Sequence, residues 1–290
     1  MKNLSIEVLA PAKVNLSLAI KDKRADGFHH IETIFQSISL FDRLEVKVID
    51  QGITCKCGRL SGKDNLAYRA AQAFLEMVQK KDLFDQTAGV EIRIEKNIPL
   101  QAGLGGGSSD AAAVLKVMNQ LFGNPLAAED LLACAKRCGS DTAFFLRGGT
   151  QWGEGTGADL TDLSPTPDLD IVLVKPPGGV STAAAYRTFD EIGKYASLNR
   201  ELWVELLKNK DTIKIGQNLI NSLEDAAFKL LPEIAFIKKQ LLDSGCCGAL
   251  MSGSGSAVFG ILDKREQGEA ITDKLVQKGF DTWLVKTIQE

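Results

Sequence analysis

The chain has 290 residues and a formal net charge of −3, with 44% of residues hydrophobic and 24% charged. That balance is the one expected of an ordinary globular protein with chain enough for one large or two modest domains. It gives no electrostatic case for nucleic acid or an anionic membrane as the main partner, so an anionic ligand has to be held by local groups.

Residues 1–10 contain Glu7 and lack a basic start followed by a long apolar run, and no stretch approaches the length of a membrane span. The expectation is a cytosolic chain without a membrane partner. The cysteines are Cys55 and Cys57, Cys134 and Cys138, and the adjacent Cys246 and Cys247. None has C-x-x-C spacing and the histidines are the neighbours His29 and His30, which argues against a zinc site and for reduced, mostly buried thiols.

Residues 4–20 read as two strands around a break at Ala10-Pro11-Ala12. Val14, Leu16 and Leu18 fall on one face, and Lys13, Asn15 and Ser17 on the other. Lys13 and Asn15 can therefore reach one polar site, although such a face is ordinarily solvated. Residues 21–30 are polar, with Asp26-Gly27 as a turn signal before Phe28-His29-His30. An aromatic ring beside a histidine can stack on a planar base while the imidazole bonds to its edge. On its own Phe28 is more often a core residue than a base platform, and His30 reads as a surface residue. Strand-like runs fill 31–49, and Asp64 is expected to cap a helix over 65–80 with Leu66, Ala70, Phe74 and Met77 facing inward.

Residues 100–122 form the centre of the chain. Ahead of them, Val90, Ile92 and Ile94 alternate with Glu91, Arg93 and Glu95, the period of a half-buried strand. Gly103, Gly105, Gly106 and Gly107 follow, then Ala111, Leu115, Met118 and Phe122 at helical spacing until Gly123-Asn124-Pro125. Ser108 or Ser109 is expected to cap this helix, and Asp110 falls in the first turn, where the macrodipole favours a carboxylate. Strand, glycine loop and helix N-terminus together make an anion site, because bare backbone can turn successive N–H groups toward phosphate oxygens. A Walker A loop needs lysine where Ser108 stands, and a dinucleotide fingerprint needs Gly or Ala there and normally opens the fold. Both readings fail, and with the second goes a nicotinamide-dependent oxidoreductase.

A second helix is expected over 127–137, with Cys134 and Cys138 one turn apart on a core face. Gly139-Ser140-Asp141 follows as a turn, where Asp141 is either a turn residue or a base. Residues 148–157 look hairpin-like, and Pro165-Thr166-Pro167 marks a boundary between 1–165 and 166–290. A strand over 169–175 leads to a helix opened near Thr182 and carrying Tyr186. Residues 218–244 are amphipathic, interrupted by Pro232 and ended by Gly245. Strand, Ser-Gly-Ser-Gly-Ser turn and strand fill 249–262, before a helix over 264–278 and a strand over 280–287.

Three of these stretches carry a family resemblance. Gly103-Leu104-Gly105-Gly106-Gly107-Ser108-Ser109-Asp110-Ala111-Ala112 resembles the phosphate-binding motif of the GHMP kinases. Pro11-Ala12-Lys13-Val14-Asn15-Leu16 resembles that family's first motif, and Met251-Ser252-Gly253-Ser254-Gly255-Ser256-Ala257 its third. The resemblance implies an α+β, two-domain fold, with a ribosomal-protein-S5-like nucleotide domain over 1–165 and a ferredoxin-like domain over 166–290 that contributes to the substrate site. It also implies transfer of the ATP γ-phosphoryl group, with Mg2+, to a hydroxyl of a small-molecule substrate. Asn65, Lys96, Gly103, Leu104, Gly105, Gly106, Gly107, Ser108 and Ser109 would hold ATP, and Ser109 is a candidate magnesium ligand. Lys13 would lie at the reacting oxygens, and Asp141 would orient the hydroxyl and accept its proton. Asn15 and Thr182 would lie in the substrate region.

Within the family, Arg24-Ala25-Asp26-Gly27-Phe28-His29 and Gly139-Ser140-Asp141 are most similar to kinases of a cytidine-diphosphate-linked polyol in isoprenoid precursor synthesis. There, Phe28 and Tyr186 would sandwich the cytosine and His29 would contact it. Those kinases usually carry tyrosine where Phe28 stands; the change removes a hydroxyl and keeps the ring. The alternatives are a homoserine- or mevalonate-type kinase of the same family, or a nucleotide-binding regulator without chemistry. A small aliphatic substrate needs no base sandwich, and a regulator needs neither Lys13 nor Asp141.

Overall fold

The computed structural model describes residues 4–83 and 88–289; Met1, Lys2 and Asn3, the start of the stretch read above for a leader, lie outside them. The chain forms two interleaved compact units. The first takes residues 1–12, 40–98 and 105–147, and the second takes 13–39, 99–104 and 148–290.

Strand β1 (Ser5–Lys23) and strand β2 (His29–Ile49), which pair with each other, each contribute to both units. β1 runs unbroken through Pro11, so the expected break is corrected. A strand with a ladder partner on one side tolerates a missing N–H on the other.

In the first unit, β4 (Gly89–Glu95) lies between β2 and β3 (Ile53–Lys56). It is antiparallel to β2, from Arg43 opposite Glu95 to Ile49 opposite Gly89, and parallel to β3, from Ile53 opposite Val90 to Lys56 opposite Arg93. Parallel neighbours need a crossover, supplied here by α1 (Leu66–Lys80). Asn65, not Asp64, caps α1, its side chain accepting from Ala67 N at 2.8 Å. Helices α2 (Gly106–Leu121), α3 (Ala128–Cys138) and α4 (Ser140–Phe145) complete the unit. Asp141 thus sits in the first turn of a short helix, where a turn was expected. Phe74, Val46, Ile92, Ala111, Leu115, Met118 and both Cys134 and Cys138 are buried in one apolar core.

In the second unit, β2 pairs antiparallel with β5 (Thr150–Glu154), and β5 with β6 (Asp159–Asp162), closing the expected glycine-rich hairpin. A separate antiparallel sheet has the order β10 (Asp281–Lys286), β7 (Asp170–Lys175), β9 (Val258–Leu262), β8 (Gly248–Met251). Helices α5 (Thr182–Ile192), α8 (Glu224–Leu230), α9 (Glu233–Asp243) and α10 (Glu266–Val276) belong to it as well. Ala185, Phe189, Ile237, Leu241, Val258 and Ile271 form its core. Two helices that the sequence reading did not assign, α6 (Arg200–Asn209) and α7 (Thr212–Gln217), begin at side-chain caps. Asn199 accepts from Leu202 N and Asp211 from Lys214 N, both at 3.0 Å. The cysteines are free thiols. No helix among the described residues is long and apolar enough to cross a membrane.

Candidate active site

In the first unit the glycine loop opens directly into α2. Gly105 takes the N-cap position with φ 70°, and Ser109 N makes the first helical bond to Gly105 O at 2.9 Å. The helix therefore starts earlier than the expected serine cap, and Ser108 and Ser109 lie within its first turn. Glycine at the cap offers no side-chain acceptor, which leaves the N–H groups of Gly106, Gly107 and Ser108 for an anion. A side chain at Gly107 would meet Leu66 at 3.5 Å, so the start of α1 borders the loop, with the Asn65 carboxamide committed to its cap. Gly139, two residues before the half-buried Asp141, lies against Ser108; a Cβ there would stand 3.8 Å from Ser108 Oγ.

Lys96 lies under the same turn, 3.2 Å from where a Cβ on Gly106 would be. Its ammonium donates to Asp42 Oδ2 and to Asp110 Oδ2, the latter at 2.7 Å. Asp42, fully buried, also accepts from Asn97 N at 2.6 Å and Ile98 N at 2.8 Å. Burial raises the Asp110 carboxyl to about 7, reinforced by the neighbouring Asp42 and only partly offset by the Lys96 ammonium. Burial pulls the Lys96 amine down, but the two carboxylates outweigh it and hold it above its usual range. Asp110 Oδ1 and Ser109 Oγ are buried with no hydrogen-bond partner among the described residues.

In the second unit Lys13, Asn15 and Ser17 are buried, so the solvated-face reading of that strand fails. Lys13 Nζ donates to Asn15 Oδ1 at 2.5 Å, Asn15 Nδ2 to Thr33 Oγ1 at 2.7 Å, and Thr33 Oγ1 to Ser17 O at 2.8 Å. Lys13 N donates to Leu104 O at 3.0 Å. The Ser-Gly-Ser-Gly-Ser turn closes on the same place. Ser252 Oγ donates to Gly103 O at 2.9 Å and accepts from Asn15 N at 3.2 Å. A Cβ on Gly253, whose φ is +56°, would lie 3.2 Å from Asn15 Oδ1 and 3.5 Å from Lys13 Nζ. Thr182 Oγ1 meets Ser254 Oγ at 2.8 Å.

Also in this unit, the buried His29 ring stacks on Tyr186, centroids 5.0 Å apart and planes 30° apart, and His29 Nε2 bonds to Asp190 Oδ1 at 2.7 Å. Lys23 pairs with Asp190 as well, and its hydrogen bond, with that of His29, holds the Asp190 carboxyl below the usual range. Phe28 is 67% exposed on the neighbouring turn, its N–H bonded to Asp26 Oδ1 at 3.1 Å.

Sequence reasoning missed Asp42, Asp190 and the ion pair of Asp110. Asp42 carried a signal, since on an alternating strand it shares the inward face with Leu44, Val46 and Val48. Asp190 carried a weaker one, falling one turn beyond Tyr186 on α5.

The chain matches the family model described as "GHMP kinases N terminal domain" over residues 65–149 and that described as "GHMP kinases C terminal" over 184–281. It is 47% identical over 285 residues to the 4-diphosphocytidyl-2-C-methyl-D-erythritol kinase of Desulfitobacterium hafniense, covering 98% of this chain and 96% of that one. The kinase of the same name from Pelotomaculum thermopropionicum is 41% identical, with 92% of each chain covered. A crystal structure of 4-(cytidine 5'-diphospho)-2C-methyl-D-erythritol kinase superposes with a TM-score of 0.84 at 36% identity, covering 97% of this chain and 99% of the other.

Proposed function

The chain belongs to the GHMP kinase family, and from that premise we propose that it transfers the γ-phosphoryl group of ATP to the 2-hydroxyl of 4-diphosphocytidyl-2-C-methyl-D-erythritol, in the non-mevalonate route to isoprenoid precursors. The observation that carries the substrate is the near full-length identity to kinases bearing that substrate's name. The geometry agrees with it. An imidazole stacked on Tyr186 and tied to Asp190 is a ready-made shelf for a planar base, which a homoserine- or mevalonate-type acceptor does not need. Phe28, exposed on the adjacent turn, is the second ring of the proposed cytosine sandwich. The division at 165/166 remains our reading of the domains, supported by the two family-model matches falling on either side of it.

The first-turn N–H groups of α2 receive the ATP phosphates, with Asn65, Lys96 and the glycine loop from Gly103 through Ser108 around the nucleotide. Lys13 offsets charge on the transferred group, and Asp141 aligns the acceptor hydroxyl and takes its proton. Asn15 and Thr182 hold the substrate. The Ser109 hydroxyl fits magnesium, being a hard oxygen donor that is buried and unpaired among the described residues. Held there, magnesium would supply positive charge to offset that of the phosphates. The chain is proposed to act in the cytosol.

The test is ADP release by purified protein offered the cytidylylated methylerythritol, free methylerythritol, homoserine and mevalonate in parallel. Turnover with the first alone is expected. Activity confined to homoserine or mevalonate would overturn the substrate.

A further inference from the structure

The Ser-Gly-Ser-Gly-Ser turn is closed by its own backbone, but its position is set from outside it. Its two strands, β8 and β9, pair up to Met251 opposite Val258. Within the turn Ser252 N donates to Ala257 O and Gly255 N to Ser252 O, both at 2.9 Å, and side chains from elsewhere in the second unit fix where it sits. Chief among these is Asn221, 8% exposed, just before α8. Its Nδ2 donates to Met251 O and to Gly253 O, both at 2.8 Å, while its Oδ1 accepts from Leu223 N at 2.9 Å. Glu224 takes the complementary group, accepting from Met251 N at 3.0 Å while paired with Lys238 at 2.5 Å. Asn221 is itself tied to the lysine strand, through a parallel bridge to Leu18 and through Leu18 N donating to Ile220 O at 2.8 Å. On its far side the same turn touches Lys13, Asn15 and Gly103, as described above.

We infer that Asn221, assisted by Glu224, is a positioning residue that sets the height of Gly253 beneath the Lys13 and Asn15 side chains and so aligns the reacting group. This rests on the phosphoryl-transfer reading above. A primary amide suits the post, because two carbonyls converge on it and a group that donates twice is required. Aspartate has the same shape but presents acceptors to both carbonyls, and alanine leaves both without their donor. The effect is expected on alignment rather than on affinity for ATP, since the side chain of Asn221 is spent on Met251 O, Gly253 O and Leu223 N.

Full-length Asn221→Ala and Asn221→Asp are compared with the unaltered chain, reading kcat with whichever acceptor supports ADP release. Displacing the turn by an ångström is expected to lower kcat about a hundredfold, more in Asn221→Asp than in Asn221→Ala. KM for ATP should stay within about twofold, as it does when an interaction of the transition state alone is lost. Amide exchange at 252–256 should quicken by about tenfold while exchange in β4 stays unchanged. An unaltered kcat in Asn221→Ala would overturn the proposal, as would quickened exchange spread evenly over β4 and β9. Should neither variant fold, Glu224→Ala against Glu224→Gln decides. Loss in the first with recovery in the second, whose amide oxygen can still accept from Met251 N, supports the brace, and equal rates in both refute it. The exchange arm needs no turnover, so a chain inactive on the cytidine-linked substrate would sink that substrate and leave the brace to be judged by exchange.

Discussion

Two glycine-serine stretches in this chain, similar in composition, are finished in opposite ways. From Gly105 to Asp110 the helix has no side-chain cap, and Ser109 Oγ and Asp110 Oδ1 are buried without partners among the described residues. From Ser252 to Ser256 each hydroxyl is engaged: Ser252 with Gly103 O and Asn15 N, Ser254 with Thr182, Ser256 with Gly178 O at 2.8 Å. A buried polar group left unpaired costs about 1–3 kcal/mol. The first stretch carries that cost and is suited to receive a ligand that offsets it, whereas the second is complete and suited to hold a shape. Satisfaction of polar atoms, not glycine content, separates a binding loop from a strut.

The largest test of this contrast is chemical. Lys13→Ala and Asp141→Ala are each expected to lower kcat by about 10²–10⁴ while nucleotide binding to the first stretch persists, measured by steady-state ADP release and nucleotide titration. Near-wild-type turnover in either variant would remove that residue from the mechanism.

Gly103→Ala attacks the contact of the second stretch with Gly103, within the second unit. A Cβ there would stand 2.0 Å from Ser252 O at a φ of +74°, so at least a hundredfold loss of kcat/KM, on the order expected for a misplaced site, should accompany lower thermal stability. Next comes Lys96→Met, which strands two buried carboxylates. Urea unfolding should report a loss of about 3–5 kcal/mol, and a loss below about 1 kcal/mol would mean that Asp42 and Asp110 do not need the ammonium.

The same carboxylates make stability depend on pH. The folded chain holds the Asp110 proton up to about 7, against an ordinary value of 3.8, so this group favours folding fully below 3.8, and the contribution is lost as pH rises through 7. Unfolding free energies measured between pH 4 and 8 should fall across that window relative to Asp110→Asn, and parallel curves would contradict the assignment. Smallest in stability is Ser109→Ala. Removing an unpaired hydroxyl should change the unfolding free energy by less than about 1 kcal/mol, while the magnesium concentration for half-maximal activity rises about tenfold. An unchanged magnesium response would take Ser109 out of the ligand set.

Much of this arrangement was legible in the sequence. The alternation of Val90, Ile92 and Ile94, the glycines of the loop and the helical spacing of Ala111 to Phe122 located strand, loop and helix. The period of two put Lys13 and Asn15 on one face. What escaped were matters of long-range pairing. Asp42 and Asp110 lie far apart in sequence and come together around Lys96, and no local pattern announces an ammonium shared between strand and helix. Asn221 has the look of any loop asparagine until the Met251 and Gly253 carbonyls arrive beside it. The helix start at Gly106 was misplaced because serine caps are the common rule, and a left-handed glycine at the cap leaves no mark that distinguishes it from its neighbours. Segment 194–217 was passed over although Asn199 followed by Trp203, Leu206 and Leu207 has the spacing of a capped amphipathic helix.

The interleaving of the two units has a consequence during synthesis. Every segment of the first unit has been translated once the ribosome passes Arg147, whereas the four-stranded sheet of the second waits for β10, made last and placed beside β7 at its margin. A nascent chain arrested before codon 281 would carry β7 as a bare, apolar edge, with Ile171, Leu173 and their neighbours ready to pair with another chain. Premature termination before β10 would therefore leave this protein prone to pair edge to edge with another chain.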